Sequence, residues 1–392
     1  MKKRIIIISI VLVLLGVGLG IYIYEKNKFV LEIEISDNLN IEFGQEFNLK
    51  DLIISSNGIF EDKIVKYYEL GEKEEVLTYK DTHDKTRTYD IKVNVVDETN
   101  PFILSGSSVT GYVGEETNLL SGVICADYVS NNVKCYVEGE YDINQIGSYP
   151  LQYIAEDESG NSISKGFTFN VVQKPKTTKS TYTAPTYTPF SEIYNTHKND
   201  NTMVGIDISK WQEDVDFNKV KNAGAEFVII RLGVFNDGEL GMDVRYEEYI
   251  QKAYEAGLKI GLYFYSEAST EQEVLDSVNY IVENIHYPLD LPIAYDWEDW
   301  SNYNSYHISL YEFNRLGYLF MDKIRENGYD SIIYGSTNYF RNMWDMKDIP
   351  VWVAQYYKEV TYEGKYSMWQ LTSSAKIDGI KGAVDVDILY LD

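Results

Sequence analysis

Leu291-Pro292-Ile293-Ala294-Tyr295-Asp296-Trp297-Glu298 is an apolar run that reads as a buried strand and then presents two carboxylates two residues apart. In a strand, residues i and i+2 point to the same side, so Asp296 and Glu298 share one face, roughly 6 to 7 Å apart along the backbone. Such an end has two readings of equal weight: acids placed for chemistry, or solvated acids where a strand runs out. The run is the fourth of eight expected strands. The others are Val204 to Ile208, Phe227 to Leu232, Ile260 to Tyr265, Ser331 to Tyr334, Val351 to Ala354, Ser367 to Leu371 and Val386 to Tyr390. Amphipathic helices are expected at Val244 to Ala256, Glu271 to Asn284 and Ser309 to Asn327. Repeated βα units with right-handed crossovers give a barrel or a doubly wound sheet, and eight strands favour an α/β barrel of the (β/α)8 type. The domain, residues 197–392, is smaller than the roughly 250 residues usual for that fold, so some outer helices must be short or missing.

In such a barrel the working face lies at the carboxyl ends of the strands. The acids expected there are Asp207 after the first strand, Asp296 and Glu298 on the fourth, and Asp385 at the start of the eighth. Four carboxylates from three strands at one rim repel one another and raise at least one pKa, as a general acid at neutral pH requires. The convergence depends on the barrel; taken singly, each acid is equally compatible with a solvated loop.

At 392 residues the chain has room for two or three domains. Residues 1–4 include Lys2, Lys3 and Arg4, and Ile5 to Tyr24 is nearly all apolar, about the 20 residues that cross a bilayer. The charge asymmetry predicts a single-pass signal anchor over residues 5–24, with a cytoplasmic tail at 1–4 and everything after Glu25 outside. A cleaved signal peptide is the competing reading; against it stands the ending Ile21-Tyr22-Ile23-Tyr24, which lacks small cleavage-site residues. The net charge of -26 argues against nucleic acid, whose phosphates need a basic surface, and identifies no protein partner. Cys125 and Cys135 read equally as a disulfide in an exported module or as two buried thiols, and their spacing fits no metal motif. His83, His197, His286 and His307 are scattered, supporting neither a zinc site nor a Ser/His relay, so no metal or other cofactor is expected.

Sliding the chain against itself aligns Gly44-Gln45-Glu46-Phe47-Asn48-Leu49 with Gly114-Glu115-Glu116-Thr117-Asn118-Leu119. Each copy closes on an alternating strand, Tyr89 to Val95 in one and Phe167 to Val171 in the other. Short period-two runs broken by Gly and Asn predict two small all-β sandwich modules, at residues 30–97 and 100–172. The second also carries Gly147-Ser148-Tyr149 and Asp157-Glu158-Ser159-Gly160-Asn161, which resemble the G-x-Y strand and D-x-S-G-N turn of bacterial immunoglobulin-like surface repeats; the first copy departs from that pattern. A spacer role is the plainer expectation for both. Lys174 to Pro189 is rich in Thr, Pro, Lys and Tyr without an apolar period, so residues 173–196 are expected to be an extended linker that lets the last domain move relative to the modules.

The barrel domain carries, in order, Gly205-Ile206-Asp207-Ile208-Ser209 with Trp211-Gln212, Phe227 to Arg231, Gly261-Leu262-Tyr263-Phe264-Tyr265-Ser266, Asp296-Trp297-Glu298, Tyr334-Gly335-Ser336, Trp352 to Tyr356, Trp369-Gln370 and Val384-Asp385-Val386-Asp387. In these pieces residues 203–392 resemble the family 25 glycoside hydrolases, the Chalaropsis-type lysozymes. The resemblance implies a β/α barrel with incomplete outer helices. It implies an N-acetylmuramidase that cuts the β-1,4 bond between N-acetylmuramic acid and N-acetylglucosamine, with peptidoglycan glycan strands as its partner. Carried over position by position, Glu298 is the general acid, Asp296 its partner carboxylate, and Asp207 and Asp385 further acids of the site. Where the family often has a small residue between the two acids this chain has Trp297, which alternation turns away from the barrel interior. Tyr265, Tyr334, Tyr356 and Trp369 fall at strand ends where flat rings stack on sugars, although packing is expected of at least half; Gln370 belongs with this binding set, and Arg231 is expected to pair with one of the acids. Together with the anchor, this gives a membrane-bound wall hydrolase facing the cell wall. The rival is a catalytically silent glycan-binding scaffold of a wall-spanning machine. A chitinase-like barrel also ends a strand in D-x-E, but expects further acids and a glycine upstream, which Ile293-Ala294-Tyr295 do not supply.

Overall fold

The computed structural model describes residues 16–20, 28–176, 186–346 and 348–391. The expected anchor over 5–24 lies outside them except for 16–20, as does the central part of the expected linker. Among the described residues no helix is long and apolar enough to cross a membrane.

The C-terminal domain is a closed eight-stranded barrel: β1 (Thr202–Ile208), β2 (Phe227–Asn236), β3 (Lys259–Ser266), β4 (Ile293–Trp297), β5 (Ser331–Ser336), β6 (Val351–Ala354), β7 (Tyr366–Lys376) and β8 (Val384–Tyr390). All eight fall where the apolar runs put them. β1 to β7 run parallel to their neighbours, but β8 is antiparallel to both β7 and β1 and closes the ring between them. The eighth unit is thus not a βα crossover: residues 377–383 are too few for one, which takes a dozen or more, and they allow only a reversal. Because β8 runs backwards, its first residues stand at the carboxyl ends of the other seven, and Asp385 pairs in register with Asp207.

Outside the barrel lie α1 (Phe190–His197), α2 (Phe217–Asn222), α3 (Tyr246–Ala256), α4 (Glu271–Glu283), α5 (Leu310–Glu326) and α6 (Thr337–Asn342). α2 and α6 are barely two turns long, and among the described residues no helix follows β6, so the outer layer is incomplete as expected. The linker ends earlier than composition predicts. Thr188 and Pro189 pair with β7, and Phe190 and Ile193 on one face of α1 are buried, so the barrel domain begins near residue 188, not 197.

Two apolar layers follow from strand alternation. The inner one holds Met203, Phe227, Ile229, Ala294, Ile332, Trp352 and Met368, while the outer one packs Val204, Ile206, Ile230, Leu262, Tyr295 and Trp297 with the helices. The inner layer fits because Gly205 lacks a side chain: a Cβ there would stand 2.5 Å from the Phe227 ring.

Residues 28–99 form a compact β unit around Ile41, Leu49, Leu77 and Ile91, with the sheet order Asn40–Glu42, Thr86–Val96, Gly71–Lys80, Ile59–Phe60. The second module has its own four-stranded sheet, Ser108–Tyr112, Ser162–Val172, Gly147–Glu156, Lys134–Glu138. In both, a short first strand runs parallel to the long last one. The sequence repeat is a shared turn after that first strand: Gly44 and Gly114 adopt φ of 70° and 78°, and donate to Tyr67 O and Ile143 O respectively. Cys125 and Cys135 form a disulfide, which decides between the two readings of that pair.

The second module packs against the barrel, where composition predicts free movement on a linker. It is part of the same compact unit as the barrel, Asn100–Asp392, with Ile124 and Ala126 in the barrel's outer core.

Candidate active site

A cavity of about 170 Å³ opens at the carboxyl ends of the parallel strands, lined by Asp207, Tyr263, Asp296, Glu298, Tyr334, Trp352, Tyr356, Gln370 and Asp385. All four acids singled out in the sequence converge there. Asp207 and Asp296, on inward positions of β1 and β4, are buried, Asp385 is half-buried, and Glu298, one residue past β4, keeps access to solvent at the mouth. The side chain of Trp297 between them points outward. It is buried among Trp300, Tyr303, Tyr306 and Phe313, and its Nε1–H donates to Ala268 O at 3.0 Å.

Crowding these carboxyls in a low-dielectric cleft favours their protonated forms. Burial, then the charge of Asp385, raises Asp207 well above the ordinary carboxylate range, with the hydrogen bond from Gln370 pulling the other way. Burial, then Glu298 and Asp207, raises Asp296, against the opposing pull of Arg231. Burial raises Glu298 as well, and lifts Asp385 to about 6. Asp296 Oδ1 is buried and finds no hydrogen-bond partner among the described residues.

Gln370 organises the opposite wall. Its Nε2 donates to Asp207 Oδ2 at 2.8 Å, and its Oε1 accepts from Tyr334 at 2.9 Å and Tyr356 at 2.8 Å. Of the rings read as sugar-stacking, Tyr334 and Tyr356 line the cavity. Trp369 does not: the alternation that turns Gln370 inward turns Trp369 outward, where it is buried, donates to Gln355 O at 2.8 Å and meets His197 edge-on. Tyr265 also lies off the cavity lining, with its hydroxyl on Glu267 at 3.2 Å. Arg231 pairs with none of the four acids. Its guanidinium grips Asp243 Oδ2 at 2.6 and 2.7 Å, and Asp243 also accepts from Lys210 N at 3.0 Å, tying β2 to the loop after β1.

Three residues of the site were not singled out from sequence. Tyr263 is two before Tyr265 and deeper on the same strand face, and Trp352 opens the quoted run Trp352 to Tyr356. Asp387, two after Asp385 on β8, is fully buried with Oδ1 accepting from Trp352 Nε1 at 2.9 Å. Burial and then the Asp207 and Asp385 charges raise it well above the usual range. The i, i+2 rule that paired Asp296 with Glu298 applies equally to Asp385 and Asp387.

Fold and site define a β/α barrel with an acidic cleft at the carboxyl ends of its strands. Residues 206–380 match the sequence model of Glycosyl hydrolases family 25, and the C-terminal domain is a member of that family. The chain is similar to the autolytic lysozyme of Clostridium acetobutylicum, 30% identical over 47% of this chain and 55% of that protein, so it spans about half of that relative. It is also similar to the uncharacterized protein YegX of Escherichia coli, 25% identical over 48% of this chain and 69% of that protein. Among solved structures it resembles the modular autolysin LytC of Streptococcus pneumoniae in complex with a synthetic peptidoglycan ligand, with a TM-score of 0.44 and 21% identity over 61% of this chain and 56% of that one.

Proposed function

We propose that the protein is an N-acetylmuramidase that hydrolyses the β-1,4 bond between N-acetylmuramic acid and N-acetylglucosamine in peptidoglycan. The observation that carries this reading is the convergence of Asp207, Asp296, Glu298 and Asp385 on one cavity, with burial and mutual repulsion holding protons on the cluster. Glu298 stands at the mouth with a raised pKa, suited to deliver its proton to the leaving glycosidic oxygen. Asp296 lies one strand period deeper. Its unpartnered Oδ1 suits an acceptor for the sugar's acetamido N–H. Tyr334, Tyr356 and Gln370 are the polar and aromatic wall against which the glycan lies.

Residues 5–24 are read as the membrane anchor that holds the chain, cytoplasmic N-terminus inside, with the hydrolase facing the wall. The two β modules are read as immunoglobulin-like wall repeats, and the role as local opening or remodelling of the wall. The test uses the full chain, purified in detergent, on isolated cell wall. Wild type should release fragments with reducing-end muramic acid, identified by mass spectrometry, and Glu298→Gln should lower the rate by about 10²–10⁴-fold. Reducing-end N-acetylglucosamine would refute the bond assignment. Wall binding without cutting by either protein would favour the silent scaffold.

A further inference from the structure

The loop behind the catalytic strand is held by the second β module. After Glu298 the chain runs through a 3₁₀ turn, Trp300–Ser305, and enters α5 at Leu310. Asn304 in that turn bonds the edge of the module's strand Ile124–Ala126 as a peptide unit would: its Oδ1 accepts from Cys125 N at 3.0 Å and its Nδ2 donates to Val123 O at 2.9 Å. A few residues on, the start of α5 presents the backbone donors that no helix can satisfy for itself. Ser309 Oγ caps only Glu312 N, at 3.2 Å. The module supplies the remaining acceptors: Asp127 O takes Leu310 N at 2.8 Å, Tyr128 O takes Tyr311 N at 3.1 Å, and Asn131 Oδ1 takes Ser309 N at 2.9 Å. Between the two anchor points His307 is held at φ 51°, a left-handed conformation that a non-glycine residue keeps only where its surroundings impose it.

The capping segment, 127–131, lies inside the ring closed by Cys125–Cys135, and Asp127 Oδ1 shapes it by accepting from Val129 N and Ser130 N, each at 2.7 Å. On the other side the clamped loop carries Trp300, Tyr303 and Tyr306, the rings that cage Trp297 between the two acids. We propose that this disulfide-closed loop is a clamp built into the enzyme, with Asn304 as a positioning residue: it fixes the 299–311 loop, and through the Trp297 cage the placement of Asp296 and Glu298. The inference rests on the hydrolase reading and adds that catalysis depends on a module outside the barrel.

The test compares full-chain wild type, Glu298→Gln, Asn304→Ala, Asn304→Gln and the double variant Cys125→Ala/Cys135→Ala on soluble peptidoglycan glycan fragments. Backbone amide exchange is followed in parallel over residues 300–311. Asn304→Ala and the cysteine variant should lower kcat about tenfold, as small misplacements of catalytic groups do, with KM within about twofold and faster exchange at Leu310 and Tyr311. Asn304→Gln, which keeps both amide functions, should recover part of kcat. If the cysteine variant fails to fold, the Asn304 pair decides alone. Unchanged kcat in Asn304→Ala, or unchanged exchange in the loop, overturns the clamp while an active wild type leaves the hydrolase reading standing. A wild type indistinguishable from Glu298→Gln overturns both.

Discussion

Asp385 shows at the scale of one residue what an acidic cleft costs the fold. Its pKa in the folded chain is about 6, against an ordinary 3.8, because burial disfavours the charged form. The folded state therefore binds this proton more tightly than the unfolded chain does. The associated stability is fully present below the unfolded pKa and is lost as pH rises through the folded one. Asp385→Asn removes the titration. Chemical denaturation should show no stabilisation by this variant near about pH 4 and a gain of up to about 3 kcal/mol near about pH 8, with activity reduced. An equal gain at both pH values would mean that packing, not ionisation, is what the substitution changes. The same change takes away the charge next in importance to burial in raising Asp207, so Asp207 should ionise more readily in the variant. Function at this site is thus built at the expense of stability, as a cluster of like charges must be.

At the scale of elements, apolar runs mark all eight barrel strands, amphipathic periodicity marks the three long helices, and alternation turns the side chain of Trp297 outward. Alternation reaches further than that. Applied with the same rigour to Trp369-Gln370 it would have removed Trp369 from the sugar-binding set, and applied to Asp385 it would have added Asp387. What it does not contain is long-range partnership. That β8 runs backwards depends on the short 377–383 connection, and that Arg231 turns to Asp243 depends on a hairpin folding back along β2. Composition overstates the linker: two apolar residues in α1, Phe190 and Ile193, bind its end to the barrel despite the Thr- and Pro-rich segment before them. The tightest element contact is also testable. Gly205→Ala puts a Cβ 2.5 Å from the Phe227 ring, so β1 and β2 must part or the ring must leave its place. Overpacking of this kind costs about 1–3 kcal/mol, read as a lower urea midpoint with little change in m. A midpoint equal to that of wild type would show that the ring yields freely.

At the scale of the molecule, the second module and the barrel share more than a boundary. Ile124 and Ala126 lie in the barrel's outer core, Phe102 and Leu104 pack against it, and α5 takes its cap from the module's loop. Opening this junction would expose those side chains to water, at about 1.5–3 kcal/mol for each large one, and exchange the module's caps on α5 for water, at about 0.5–1.5 kcal/mol each. Domains joined so closely should unfold together, whereas a spacer on a flexible linker would melt on its own. The six tryptophans, Trp211, Trp297, Trp300, Trp344, Trp352 and Trp369, all belong to the barrel, so their fluorescence follows that domain alone. Hydrogen exchange in the module's central strands, Gly147–Glu156 and Ser162–Val172, follows the other. In a urea titration of the full chain the loss of protection in these strands and the tryptophan transition should share one midpoint, and Asn304→Ala should separate them, the module opening first. Strands that already exchange freely in wild type while the tryptophan signal is still native would show a module that merely leans on the barrel. The contacts at Asn304 and α5 would then be too weak to couple the two folds.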